Sequence, residues 1–144
     1  MPSVLTTLEI DAAPAAIYRV LTDLDAYPTW NPVIKWMRGE AKVGGTLRFR
    51  IDIPSLPPLL FKAKVTLADE LLGFAWEGGP PAVFAGHHYL RFEPVSKTRT
   101  RLVHGEDFSG ALRNVVVNGF VRKRIESGYE VLNRAVAARV KALS

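Results

Sequence analysis

The 144-residue chain contains no cysteine, so it can form no disulfide, no thiolate metal site and no cysteine nucleophile. It has no apolar run approaching the roughly 20 residues that a helix needs to cross a bilayer. Its first ten residues, Met1 to Ile10, have neither a basic lead nor a long apolar stretch; they read as a strand, not a signal peptide. There are no internal repeats, no low-complexity tracts and no linker. No glycine loop is placed to cradle phosphate, because Gly44-Gly45 reads as a hairpin turn rather than the start of a helix. Neither Ser55 nor Ser109 has a recognisable histidine and acid partner, which leaves serine-hydrolase chemistry unsupported. The lack of cysteine fits a cytoplasmic protein.

The length suits one domain, 1–144, able to bury about 70% of its unfolded surface. With 48% apolar and 23% charged residues the chain is of ordinary globular composition. The net charge of +5 raises the question of an anionic partner. Its densest cluster, Arg122-Lys123-Arg124, lies in a stretch of helical period, where successive residues point about 100° apart and fan over a solvated face. The aromatics are not interleaved with these cations, so nucleic acid is not expected as a partner; weak contact with a membrane surface stays open.

Ala13-Pro14 starts a helix with proline in the first turn, and Ile17, Val20, Leu21 and Leu24 follow at helical spacing. Tyr27-Pro28 and Asn31-Pro32 then permit only short helical turns around Trp30. From Val33 to Phe108 the chain reads as six strands: 33–38, 46–53, 61–69, 73–77, 83–93 and 99–108. Several have one apolar face (Leu47, Phe49, Ile51; Phe61, Ala63, Val65; Phe74, Trp76) and one polar face, which marks an antiparallel sheet. The last third is helical: Ile125, Tyr129, Leu132, Val136, Val140 and Leu143 form a stripe, preceded by Leu112, Val116 and Phe120, with a bend or break expected near Gly119 or Gly128. The expected fold is α+β: seven antiparallel strands curved around one long C-terminal helix, with two short helices between strands 1 and 2. A helix about 10 Å wide cannot fill such a concavity alone, so a cavity between sheet and helix is expected. The loops 54–60, 78–83 and 109–111 fall at one end, and two of them are apolar and proline-rich, as a pocket mouth would be.

Period-two counting places Phe84, His88, Leu90 and Phe92 on one face of the sixth strand. It places Leu102, His104, Glu106 and Phe108 on one face of the seventh. If both apolar sets face inward, the linking loop preserves face parity, and His88 stands opposite either His104 or Glu106. Polar groups on a buried face are paired or put to use. Three uses compete: a structural network, recognition of the polar end of an apolar ligand, and acid/base catalysis by Glu106 with His88 or His104. The same donors match those of a non-haem iron triad, but nothing else marks a metal, and no metal or cofactor is expected. His87 points to the other face, into solvent. Trp30 is expected to plug the end of the sheet under the short helices, whereas Trp36 can face either way.

The ordered set Ile10 with Ala13-Pro14, Tyr27-Pro28-Thr29-Trp30-Asn31-Pro32, Gly39, Val43-Gly44-Gly45 and Leu72-Gly73-Phe74-Ala75-Trp76 continues through Gly86 to Phe92, His104 to Gly110 and Gly128 to Asn133. It covers almost the whole chain and resembles the START-like helix-grip (SRPBCC) superfamily, closest to its polyketide cyclase/dehydrase and lipid-transport branch. The resemblance implies a β-α-α-β6-α grip around a cavity for lipids, polyketides or other hydrophobic small molecules, with both enzymes and carriers on the same scaffold. The sheet residues expected to line the cavity are Phe49, Ile51, Phe61, Phe74, Trp76 and Leu90. His88, His104, Glu106 and Phe108 join them, and Phe120 and Tyr129 from the closing helix supply the opposite wall. The function expected is hydrophobic-ligand binding as a carrier or sensor. The alternatives are a polyketide cyclase/aromatase or dehydratase, and a protein-interaction module with a filled core. A monomer or a homodimer is expected.

Overall fold

The computed structural model describes residues 3–144; Met1 and Pro2, the start of the expected first strand, lie outside the described residues. Strand β1 (Ser3–Ile10) turns Val4, Thr6 and Ile10 inward. Helix α1 (Pro14–Thr22) buries Ile17, Val20 and Leu21. A 3₁₀ turn (Leu24–Ala26) and the single-turn α2 (Tyr27–Trp30) follow. The turn beyond α2 is fixed by Asn31, whose buried Oδ1 accepts from the Val33 and Ile34 N–H groups at 3.0 and 2.8 Å. Tyr27, 1% exposed, fills the end of the core here. Trp30 is only half-buried and meets the Tyr27 ring edge-on, so it covers the plug rather than forming it.

Strands β2 (Ile34–Gly39), β3 (Thr46–Ile51), β4 (Leu59–Asp69), β5 (Gly73–Gly78), β6 (Ala85–Ser96) and β7 (Arg99–Ser109) form one antiparallel sheet with β1, in the order β1-β7-β6-β5-β4-β3-β2. A short α3 (Arg113–Val116) precedes α4 (Gly119–Leu143), which packs across the sheet's inner face. The expected break falls beside Gly119, where Asn118 caps α4 by accepting from the Phe120 and Val121 N–H groups. Gly128 does not interrupt the helix. It lets the helix pass close to Ile53, whose Cγ1 would stand 3.1 Å from an added Cβ.

Leu112, Val116 and Phe120 are exposed, as is Leu143, so the apolar stripe of α4 is buried only from Gly128 to Val140. On the outer face Arg38, Arg48 and Lys62 stand directly opposite one another across β2, β3 and β4, around a hollow of about 430 Å³. Trp36 lies on that face with the Arg38 guanidinium 5.0 Å from its ring centroid. His87 also faces outward, but it is half-buried and hydrogen-bonded to Thr66 Oγ1 at 3.1 Å instead of being free in solvent.

Candidate functional site

The β6–β7 hairpin decides who meets whom. Its turn pairs Ser96 with Arg99, a register that continued inward would set His88 against Asp107 on the outer face. A one-residue bulge between Pro94 and Ser96 shifts the ladder, and His88 stands opposite Glu106. Face parity is thereby preserved. Two inward rows result: Val65, Trp76, His88, Glu106 and Val4 in one, and Phe74, Leu90, His104 and Thr6 in the next.

Two residues along a strand advance about 6.7 Å, and four along a helix advance about 6 Å. Tyr129 and Asn133 of α4, four apart and both 2% exposed, therefore lie over successive rows. Tyr129 Oη hydrogen-bonds Glu106 Oε1 and lies 3.2 Å from His88 Nδ1. His88 Nε2 is 2.7 Å from His104 Nε2, and His104 Nδ1 is 2.7 Å from Asn133 Oδ1. Asn133 Nδ2 donates to Thr6 Oγ1, which donates to the His104 carbonyl. Six residues from four elements thus form one unbroken chain of hydrogen bonds through the core. Its rings are held by stacking: Trp76 on His88 with centroids 4.4 Å apart, and Tyr129 on His104 at 4.1 Å.

The chain is closed at Thr6 and open at Glu106, whose side chain is 18% exposed. Gly86 makes room for this carboxyl, since a Cβ there would collide with Oε2. Burial pushes the Glu106 carboxyl up to about 7, with the Tyr129 hydrogen bond opposing and Asp107 reinforcing. Burial lowers His104 to about 4 and takes His88 well below the ordinary histidine value; burial likewise holds the Tyr129 phenol protonated. Near neutrality the histidines are neutral and Glu106 is poised between acid and carboxylate.

Beyond Glu106 the sheet ends in apolar side chains. Phe108 stacks on Phe84 at 5.7 Å, and the Leu112 N–H bonds Val83 O, joining two of the three loops expected at this end. Phe61 (40% exposed), inward-facing on β4 beside Phe49, is uncovered, as are Val116 and Phe120 (57% exposed) on the helical side, whereas Leu60, opposite Arg50, lies on the outer face. Phe49, Phe74, Trp76 and Leu90 are fully buried in one continuous core with Leu132 and Val136 of α4, and Ile51 packs against it. Of the expected lining residues, Phe61 and Phe120 are exposed and Glu106 is partly exposed, while His88, His104, Phe108 and Tyr129 are buried. Thr6 and Asn133 escaped the sequence reading, although Thr6 has the inward parity of Val4 and Asn133 lies one turn beyond Tyr129 on the buried stripe.

A curved antiparallel sheet closed by one long helix, with short helices between its first two strands, is the helix-grip architecture. The chain belongs to the polyketide cyclase/dehydrase and lipid transport family, whose sequence profile matches residues 1–141. A START superfamily protein from Mycobacterium smegmatis has the same fold, with 24% identity, 99% of each chain covered and a TM-score of 0.78. So do TTHA0849 from Thermus thermophilus (19% identity, 99% of each chain, TM-score 0.79) and the Zhui aromatase/cyclase from Streptomyces sp. R1128 (18%, 97% of this chain and 93% of that one, TM-score 0.75). No curated protein matches the sequence. Among the described residues no helix is long and apolar enough to cross a membrane, and no group of three histidine or acidic side chains is placed to hold a metal.

Proposed function

We propose that this protein binds a hydrophobic small molecule, a lipid or polyketide-like compound, as a cytoplasmic carrier or sensor. The ligand's polar end meets Glu106 and its apolar body lies against Phe61 of the sheet and Val116 and Phe120 of the helical side, which together make the mouth of the proposed site. The observation that carries this reading is one poised carboxyl at the open end of a buried hydrogen-bond chain, in a fold that leaves Phe61, Val116 and Phe120 uncovered. The family's description as polyketide cyclase/dehydrase and lipid transport supports the ligand class.

The same carboxyl favours a second reading. A carboxylic acid that titrates near 7, backed by Tyr129 and His88, is matched to proton transfer at neutral pH, as a cyclase or dehydratase needs. Native mass spectrometry of the purified protein, followed by extraction and identification of co-purified molecules, tests the binding reading directly. A bound lipid or aromatic metabolite is expected. An empty protein that also fails to gain thermal stability from fatty acids, sterols and polyketides overturns it. Glu106→Gln separates carrier from enzyme, since a carrier keeps most of its affinity whereas an acid/base enzyme loses roughly 10²-fold or more in turnover.

A further inference from the structure

The buried chain has a direction, and one residue sets it. Asn133 Nδ2 donates to Thr6 Oγ1, so Asn133 presents its carbonyl oxygen to His104. His104 Nδ1 must then carry the proton that bridges to Oδ1. Because His104 is neutral, its Nε2 is bare and accepts, and the proton shared at 2.7 Å belongs to His88 Nε2. His88 Nδ1 is left bare in turn, facing the Tyr129 hydroxyl at 3.2 Å. A phenol has one proton. If Tyr129 gives it to His88, the contact between Tyr129 Oη and Glu106 Oε1 is a hydrogen bond only when Glu106 carries the proton. If Glu106 is ionised, Tyr129 donates to it and the buried Nδ1 of His88 loses its donor.

We propose that Asn133, buried at the far end of the chain, is a positioning residue that fixes the direction of its hydrogen bonds, and so favours Glu106 as the neutral acid whose outer oxygen, Oε2, is a bare acceptor for a donor group on the ligand. The ligand class narrows accordingly, to apolar molecules ending in a hydroxyl or N–H. This narrowing rests on the proposed binding function, whereas the direction of the chain can be read without any ligand. The groups facing Glu106 are His88 from β6, Tyr129 from α4 and its neighbour Asp107 on β7; β1 presents only Val4. Among the described residues Oε2 has no hydrogen-bond partner.

Asn133→Asp reverses the chain with all protons accounted for. A carboxylate at 133 favours an imidazolium at His104, which takes the Nε2 proton of His88. His88 takes the Tyr129 proton at Nδ1, and Tyr129 takes the proton of Glu106. Glu106 is left ionised, and its titration falls from about 7 toward the ordinary carboxylate range. Simple repulsion from an added anion acts the other way and raises it, so the sign of the change is diagnostic.

Nitrogen-15 NMR of the ligand-free wild type at pH 7 is expected to show His104 protonated at Nδ1 and His88 at Nε2. The opposite tautomers overturn the proposal whatever the variant does. In Asn133→Asp, carbon-13 titration of Glu106 is expected to move down, and an unchanged or raised value overturns the proposal. For the ligand end, 2-naphthol is expected to bind several-fold more tightly than 2-methoxynaphthalene by calorimetry. Equal affinities overturn the donor requirement, and no binding by either overturns the binding function while leaving the tautomer result standing.

Discussion

Glu106 meets two opposing demands: burial favours its neutral form, and the Tyr129 hydroxyl favours its carboxylate. Burial wins because no cation stands near enough to compensate; His88, 3.9 Å away, is itself held neutral. The space that permits this arrangement is Gly86. Gly86→Ala would set a methyl against Oε2, so the Glu106 side chain must swing out and release Tyr129. A loss of about 1–3 kcal/mol in urea-denaturation stability is expected. Unchanged stability with Glu106 still bonded to Tyr129 would refute this account. His88, His104, Glu106 and Tyr129 were all legible in the sequence, as polar residues on faces whose period demanded burial. Thr6 and Asn133 were not, because a small polar residue at an inward position looks like a tolerated substitution until its partner is known.

Among the elements, α4 carries the most consequence. Its N-terminal end is held by Asn118, whose side chain accepts from two backbone N–H groups, and the turn that follows bears the exposed Phe120. Asn118→Ala should cost about 1 kcal/mol of stability, measured by thermal and chemical denaturation, and fray the first turn of α4. Hydrogen exchange should quicken at residues 119–122 and stay unchanged at 129–136; uniform quickening would show that the cap serves the whole helix instead. The period of α4 was plain in sequence, whereas the exposure of its first turns was not. An apolar stripe continues through Leu112, Val116 and Phe120, but all three are left exposed. The register of β6 on β7 was equally open, since His88 facing His104 and His88 facing Glu106 are both consistent with alternation. The bulge between Pro94 and Ser96 decides it.

Over the whole molecule the site makes stability depend on pH with opposing signs. Glu106 rises on folding from 4.5 to about 7, so its contribution is complete below 4.5 and lost as pH rises through 7. His104 falls from 6.5 to about 4, so its contribution is complete above 6.5 and lost as pH falls through 4; His88 acts in the same direction. Between 4.5 and 6.5 two histidines outweigh one carboxyl. The melting temperature is therefore expected to climb from about pH 5 to about pH 6.5 and level off around neutrality. Glu106→Gln removes the opposing contribution and should steepen the climb, because the amide donates to Tyr129 as the neutral acid does. A melting temperature that falls across this range, or an unaltered slope in the variant, would refute the assignment.

The sequence alone determined the order of elements, the inward faces of the strands and the family, because these depend on periodicity, turn chemistry and motif order along the chain. It also marked most of the polar groups that had to be paired in the core. Only the tertiary structure decided how they pair. Placing His88 opposite Glu106 depends on one bulged residue, and the link from His104 to Thr6 depends on Asn133 of a helix arriving from the end of the chain. A direction of hydrogen bonding exists only once those partners are in contact, since donors and acceptors far apart in sequence have no relation until folding brings them within bonding distance.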